Sequence, residues 1–128
     1  MPKGIEIRDA HFPGRAPIDA YGNGGFRFAD MSHRGSILCL PSGIYGWDKV
    51  ENDPLTVADL ERVLDEAGDI EVLLVGTGSQ IRPLSAELRA ALKDKRIISD
   101  PMSTGAAVRT FNVMLAESRA VAAALIAV

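Results

Sequence analysis

A chain of 128 residues is long enough to build one hydrophobic core and short for two domains. Hydrophobic residues make up 47% and charged residues 24%, and no segment reaches the ~18 uninterrupted apolar residues of a membrane-spanning helix, so no membrane insertion is expected. A net charge of -3 with a pI near 5.3 supplies no broad positive field, which argues against nucleic acid as a partner.

The single cysteine, Cys39, cannot form an internal disulfide, and the two histidines, His11 and His33, make no cluster at zinc-ligand spacing. No metal or other cofactor is expected, and a reducing compartment fits best. The opening stretch MPKGIEIRDAHFPG has neither the apolar core of a secretory signal nor the acid-free, Arg- and Ser-rich character of a transit peptide, which points to the cytoplasm.

Taken in order, Ile5 and Ile7 alternate with polar neighbours as in a strand. IDAYGNGGFRF then sets Ile18 and Ala20 before a glycine-rich turn and Phe26 and Phe28 after it, a β-hairpin pattern in which Asn23-Gly24 supplies the positive φ angles of a tight turn. SILCL, Ser36 to Leu40, is an apolar run ended by Pro41-Ser42-Gly43 and predicts a mid-sheet strand buried on both faces. Thr56 is placed to cap VADLERVLDEA, where Val57, Leu60, Val63, Leu64 and Ala67 share one arc.

A strand over 70–75 leads into Gly76-Thr77-Gly78-Ser79, and a short helix begins near Ser85 with Leu84, Leu88, Ala91 and Leu92 at helical spacing. Ile97 and Ile98 mark another short strand. A third helix is predicted over 104–117, with Ala107, Val108, Phe111, Met114 and Leu115 facing inward. The alanines of VAAALIAV favour a continued helix, yet a helix over 104–128 is too long for so small a domain, so a final buried strand is predicted. Strand and helix in alternation give βαβ crossovers, hence a single α/β domain over 1–128 with a mixed, largely parallel sheet flanked by helices and an N-terminal β-hairpin.

Loops leaving the carboxyl ends of parallel strands meet at one edge of such a sheet. Three loops are candidates for that edge: Pro41-Ser42-Gly43, Gly76-Thr77-Gly78-Ser79, and the stretch from Asp100 to Gly105. Gly76, Thr77 and Gly78 suggest a phosphate loop, but no lysine lies between Val50 and Leu92, which removes the P-loop reading. Position 81 is Ile and the next helix waits until after Pro83, which removes the dinucleotide fingerprint. What remains is a strand-end turn that can wall one side of a pocket.

MSTGAAVR carries more. A helix starting at Ser103 or Thr104 presents free N–H groups and a positive dipole end, and Arg82 and Arg109 can add charge-assisted bonds to a carboxylate or phosphate. Helix capping by the same hydroxyls is the alternative. Asp100 is either a base at this edge or the first residue of an Asp-Pro turn, and Cys39 reads as a small core residue. No G-x-S-x-G elbow presents a serine nucleophile, so no catalytic residue is assigned. In GIYGW, Tyr45 and Trp47 either anchor a protein partner from a loop or cover the sheet.

Together, LLVGTGSQIRPL, MSTGAAVRTFNVMLAESRAVAAALI and GIYGW resemble the small uncharacterised domain family of archaea and bacteria that includes mitochondrial complex I assembly factor 3. The resemblance covers nearly the whole chain and is most specific at Thr104, Ala106, Arg109, Thr110, Asn112, Glu117, Arg119 and 121–125. It implies a three-layer α/β fold with a mixed sheet and a terminal strand. It implies no catalytic activity, cofactor or substrate, and for the mitochondrial members it implies help in assembling the membrane-peripheral part of respiratory complex I through protein contacts. Ser103 and Phe111 depart from the family pattern, where an acid and a tyrosine are common, so no acid/base role is carried over to them.

The leading expectation is a non-enzymatic interaction or assembly protein whose partners are respiratory-complex or other protein subunits, met through the loop edge and GIYGW. The competing one is a small-molecule enzyme or sensor that holds an anionic ligand between the Gly76 loop and the helix near Thr104.

Overall fold

Residues 12–128 are described in the computed structural model, and the strand expected around Ile5 and Ile7 lies outside them. Six strands form one mixed sheet: β1 (Phe12–Pro13), β5 (Ser36–Leu40), β6 (Gly43–Trp47), β7 (Val72–Gly76), β8 (Ile98–Met102) and β9 (Val121–Leu125), in the order β1-β6-β5-β9-β7-β8. The half made by β9, β7 and β8 is parallel, whereas β5 runs antiparallel to β9, and β6 to β5. The alanine-rich C-terminus is therefore the strand that joins the two halves. All five of its residues are buried, and Ala122, Ala123 and Ala124 keep its side chains short where layers press on both faces.

The hairpin around Asn23-Gly24 forms as predicted, with φ of 52° and 80° at those residues. It does not join the main sheet. It continues into a third strand, so that β2 (Ala20–Gly22), β3 (Gly25–Phe28) and β4 (Met31–Arg34) make a separate antiparallel sheet. The second turn rests on Ala29 and Asp30 at φ of 49° and 63°, a left-handed pair without glycine or asparagine.

Three helices flank the main sheet: α1 (Glu61–Asp65), α2 (Ala86–Asp94) and α3 (Thr104–Ala116). α2 and α3 start where predicted, Ser85 Oγ accepting from Leu88 N–H and Ser103 Oγ from Ala106 N–H. α1 is shorter than the hydrophobic arc predicts, because Val57–Leu60 winds as a 3-10 turn. At its start the Asp59 carboxylate accepts from the Thr56 N–H and hydroxyl at 2.8 and 3.0 Å, and the Asp59 carbonyl accepts from the Trp47 indole at 3.0 Å. The bond from Trp47, on β6, ties the Asp59 carbonyl of this turn to the sheet, while the Thr56 bonds are local to the turn.

Alternation along the strands divides the core into two layers. Ile37 and Cys39 of β5, Leu74 of β7 and Val121, Ala123 and Leu125 of β9 pack with Phe111 of α3 and with Phe26 and Phe28 of the small sheet. Leu38 and Leu40, Leu73 and Val75, and Ala122 and Ala124 turn to the other face, against Leu60 and Val63 beside α1 and Leu88 and Leu92 of α2. The result is a three-layer α/β fold with the small sheet sharing the α3 layer.

Candidate functional site

The carboxyl ends of β7 and β8 meet at one edge, and the glycine loop and the start of α3 are joined there hydrogen bond by hydrogen bond. Thr104 is fully buried; its hydroxyl donates to the Ile126 carbonyl at 2.6 Å and accepts from Gly78 N–H at 3.1 Å, while its own N–H donates to the Gly78 carbonyl at 2.8 Å. Gly76 permits this closeness, since a Cβ there would lie 3.0 Å from Thr104 Cα and 3.1 Å from Leu125 Cδ2. The Thr77 hydroxyl bonds the carbonyls of Gln80 and Met102 at 2.7 and 3.2 Å and accepts from Arg82 N–H at 3.0 Å. Over the first turn of α3 lies Tyr21 from the small sheet, whose hydroxyl would collide with any side chain at Gly105.

Of the two arginines read as anion ligands, Arg109 is exposed on α3 and Arg82 is exposed in the loop after β7. The third candidate loop, Pro41-Ser42-Gly43, is not at this edge. Because β5 runs against β9, its carboxyl end falls at the amino ends of the parallel strands, where Ser42 N–H and hydroxyl donate to the Glu66 carboxylate at 2.9 and 2.6 Å. Tyr45 and Trp47 lie on β6 and not in a loop. Both are half-buried and packed against the α1-side core; Tyr45 also stacks under the Arg62 guanidinium at 4.5 Å. Cys39 is buried and its thiol pKa is pushed far up by desolvation, which leaves it protonated and inert. Asp100 is exposed on the edge strand β8.

What reading by motif missed is the segment after β6, in WDKVENDPL. It crosses the carboxyl edge and is fastened to the glycine loop by Glu51, which accepts from Ser79 N–H at 2.6 Å and from the Ser79 hydroxyl. Gly78, at φ 111°, must lack a Cβ for Glu51 to come this close. The Ser79 hydroxyl and N–H hold the Glu51 carboxyl below the usual carboxylate range, with Arg82 adding a smaller coulombic pull. Between this segment and residues 82–85 lies a cavity of about 310 Å³; Thr77 and Arg82 line it, whereas Gly76, Gly78, Ser103, Thr104 and Arg109 do not. The signal available in the sequence was Asn52-Asp53-Pro54, a turn-former cluster beside an apolar pair, Val50 and Leu55.

Comparison with known proteins agrees with this architecture. The crystal structure of an outer membrane protein from Bartonella henselae superposes with a TM-score of 0.87 at 69% identity, covering 91% of this chain and 98% of that one. An uncharacterised protein of Rhodobacter capsulatus is 37% identical over 119 residues, 93% of this chain and 90% of its own. The NADH dehydrogenase [ubiquinone] 1 alpha subcomplex assembly factor 3 of Danio rerio is 33% identical over 109 residues, which are 85% of this chain but 63% of the assembly factor. Among the described residues no helix is long and apolar enough to cross a membrane. The family described as proteins of unknown function, DUF498/DUF598, matches residues 18–126, and the chain belongs to it.

Proposed function

We propose that this protein is a non-enzymatic interaction protein that assists the assembly of a respiratory NADH dehydrogenase. The observation that carries the reading is the 33% identity with the Danio rerio assembly factor over 85% of this chain. Two features of the fold support it. The polar groups of the glycine loop and of Thr104 bond to one another, as in a structural joint. Beside that joint, Val50 and Ile81 are 62% and 65% exposed, large apolar side chains of the kind that anchor a partner. The contact surface in this reading is the carboxyl edge around Val50, Ile81 and Arg82, with Tyr45 and Trp47 as a second patch. A cytoplasmic location goes with it, and fractionation that puts the protein in the cell envelope counts against that part.

The test is affinity capture of the tagged chain from its host, scored for NADH dehydrogenase subunits against an untagged control, with deletion of the gene followed by native-gel measurement of the assembled enzyme. Subunits should be recovered and assembled enzyme should fall. Ile81→Asp and Val50→Asp should each cut recovery severalfold while leaving the melting temperature near that of the wild type. Normal levels of assembled enzyme in the deletion strain, together with no subunit recovered, overturn the reading.

A further inference from the structure

The cavity beside the glycine loop has a composition that a structural joint does not need. Its volume, about 310 Å³, is at the lower end of small-molecule pockets. Pro54, Leu55, Pro83, Leu84 and Ile126 give it apolar walls. Ile126 is held by its N–H on the Gly76 carbonyl and its own carbonyl on Thr104, so the back wall is fixed. Of the hydroxyls that line it, Thr77 bonds to neighbouring backbone and Ser85 caps α2.

Two residues of opposite charge, Asp53 and Arg82, line the same space. Arg82 makes no ion pair or side-chain hydrogen bond among the described residues. Asp53 uses Oδ2 to accept from Val50 N–H at 2.9 Å, and Oδ1 has no donor among the described residues. A plain carboxylate would meet Arg82 but also Asp53 and the nearby Glu51; a plain hydrocarbon would leave both charges without a partner. A zwitterion with an apolar body satisfies all three parts.

We propose that this cavity binds a free apolar α-amino acid, its carboxylate on the Arg82 guanidinium, its ammonium on Asp53, and its side chain among Leu55, Leu84 and Ile126. The charge-assisted bonds fix orientation, and the walls select for size and apolarity. The cavity shares Val50 and Arg82 with the proposed contact surface, but amino-acid binding by the isolated chain does not depend on the assembly role.

Calorimetric titration and thermal melting of the full chain with L-leucine and L-phenylalanine test it, with N-acetyl-L-leucine, which lacks the ammonium, and L-leucinamide, which lacks the carboxylate, as controls. At least one amino acid should raise the melting temperature by several degrees at saturation. The capped analogues should bind about tenfold more weakly or worse, as the loss of one charge-assisted bond requires. Arg82→Gln and Asp53→Asn should each weaken binding by a similar factor. The unliganded variants should melt as the wild type does, since the side-chain carbonyl introduced by Asp53→Asn can still accept from Val50 N–H. Leu55→Trp should fill the cavity and abolish binding. No response to either amino acid, equal binding of the capped forms, or wild-type affinity in both charge variants overturns the proposal.

Discussion

Thr104 shows how one side chain can fix an edge of a sheet. Its hydroxyl is at once donor to Ile126 and acceptor from Gly78, in a position with no access to water. Thr104→Val keeps the shape and strands a buried N–H and a buried carbonyl, so stability should fall by about 2–4 kcal/mol, read as a lower urea midpoint, while Thr104→Ser should recover most of it. A Val variant as stable as the wild type would mean that the joint is not held by these bonds. Glu51 makes a different kind of prediction. Its pKa is lower folded than unfolded, so its contribution is present above the unfolded value, ~4.3, and is lost as pH falls through the folded one. The gap in urea midpoint between wild type and Glu51→Gln should therefore narrow as pH is lowered from neutral through and below the ordinary carboxylate range. A gap that stays constant as pH falls shows that the Glu51 carboxyl is not depressed by folding.

At the scale of elements, the two turns of the small sheet have the same geometry and different chemistry. Asn23-Gly24 enters the left-handed region at little cost, whereas Ala29-Asp30 does so against the sterics of a Cβ. Asp30 is exposed, and Asp30→Gly should raise stability by about 0.5 kcal/mol in chemical denaturation; a loss instead would place the Asp30 side chain in a stabilising role. The edge strand β8 carries Pro101, and since Ile98 N–H and the Met102 carbonyl both bond toward the β7 side, the two-residue period turns the Pro101 nitrogen outward. The ring thus removes a donor from the open edge and costs no ladder bond, a device that discourages pairing with another chain.

In the whole molecule, the small sheet is attached to the rest by its buried phenylalanines, by Gly24 N–H on the Val128 carbonyl at 2.8 Å and by one side-chain amide. Asn112 of α3 accepts from Ile18 N–H at 2.9 Å and donates to the Ile18 carbonyl at 2.8 Å, just before β2. Replacing it with alanine should cost about 2 kcal/mol, one for each bond, and should speed amide exchange in β2, β3 and β4 more than in β7 and β9. Equal acceleration throughout would show that both sheets open as one unit. The carboxyl edge lies between these layers: the 50–55 segment comes from the antiparallel half, the glycine loop from the parallel half, and Tyr21 from the small sheet.

The sequence by itself determined the elements whose signals are local. Ser36–Leu40 read as a buried strand because it is apolar at every position but the first, Asn23-Gly24 as a turn because few residue pairs accept its φ angles, and α2 and α3 as helices because Ser85 and Ser103 stand before helical periods. The final strand was legible through the implausible length of the alternative helix and through the family resemblance, not through its own alanine-rich composition. Tertiary structure alone decided which strands are neighbours and in which direction they run. That choice set β5 against β9, sent Pro41-Ser42-Gly43 to the far edge, separated the small sheet from the large one and brought Asp53 and Arg82 to one cavity. Periodicity states which face of a strand is buried, and it carries no record of what covers that face; the pairing is settled by packing between residues far apart in the chain.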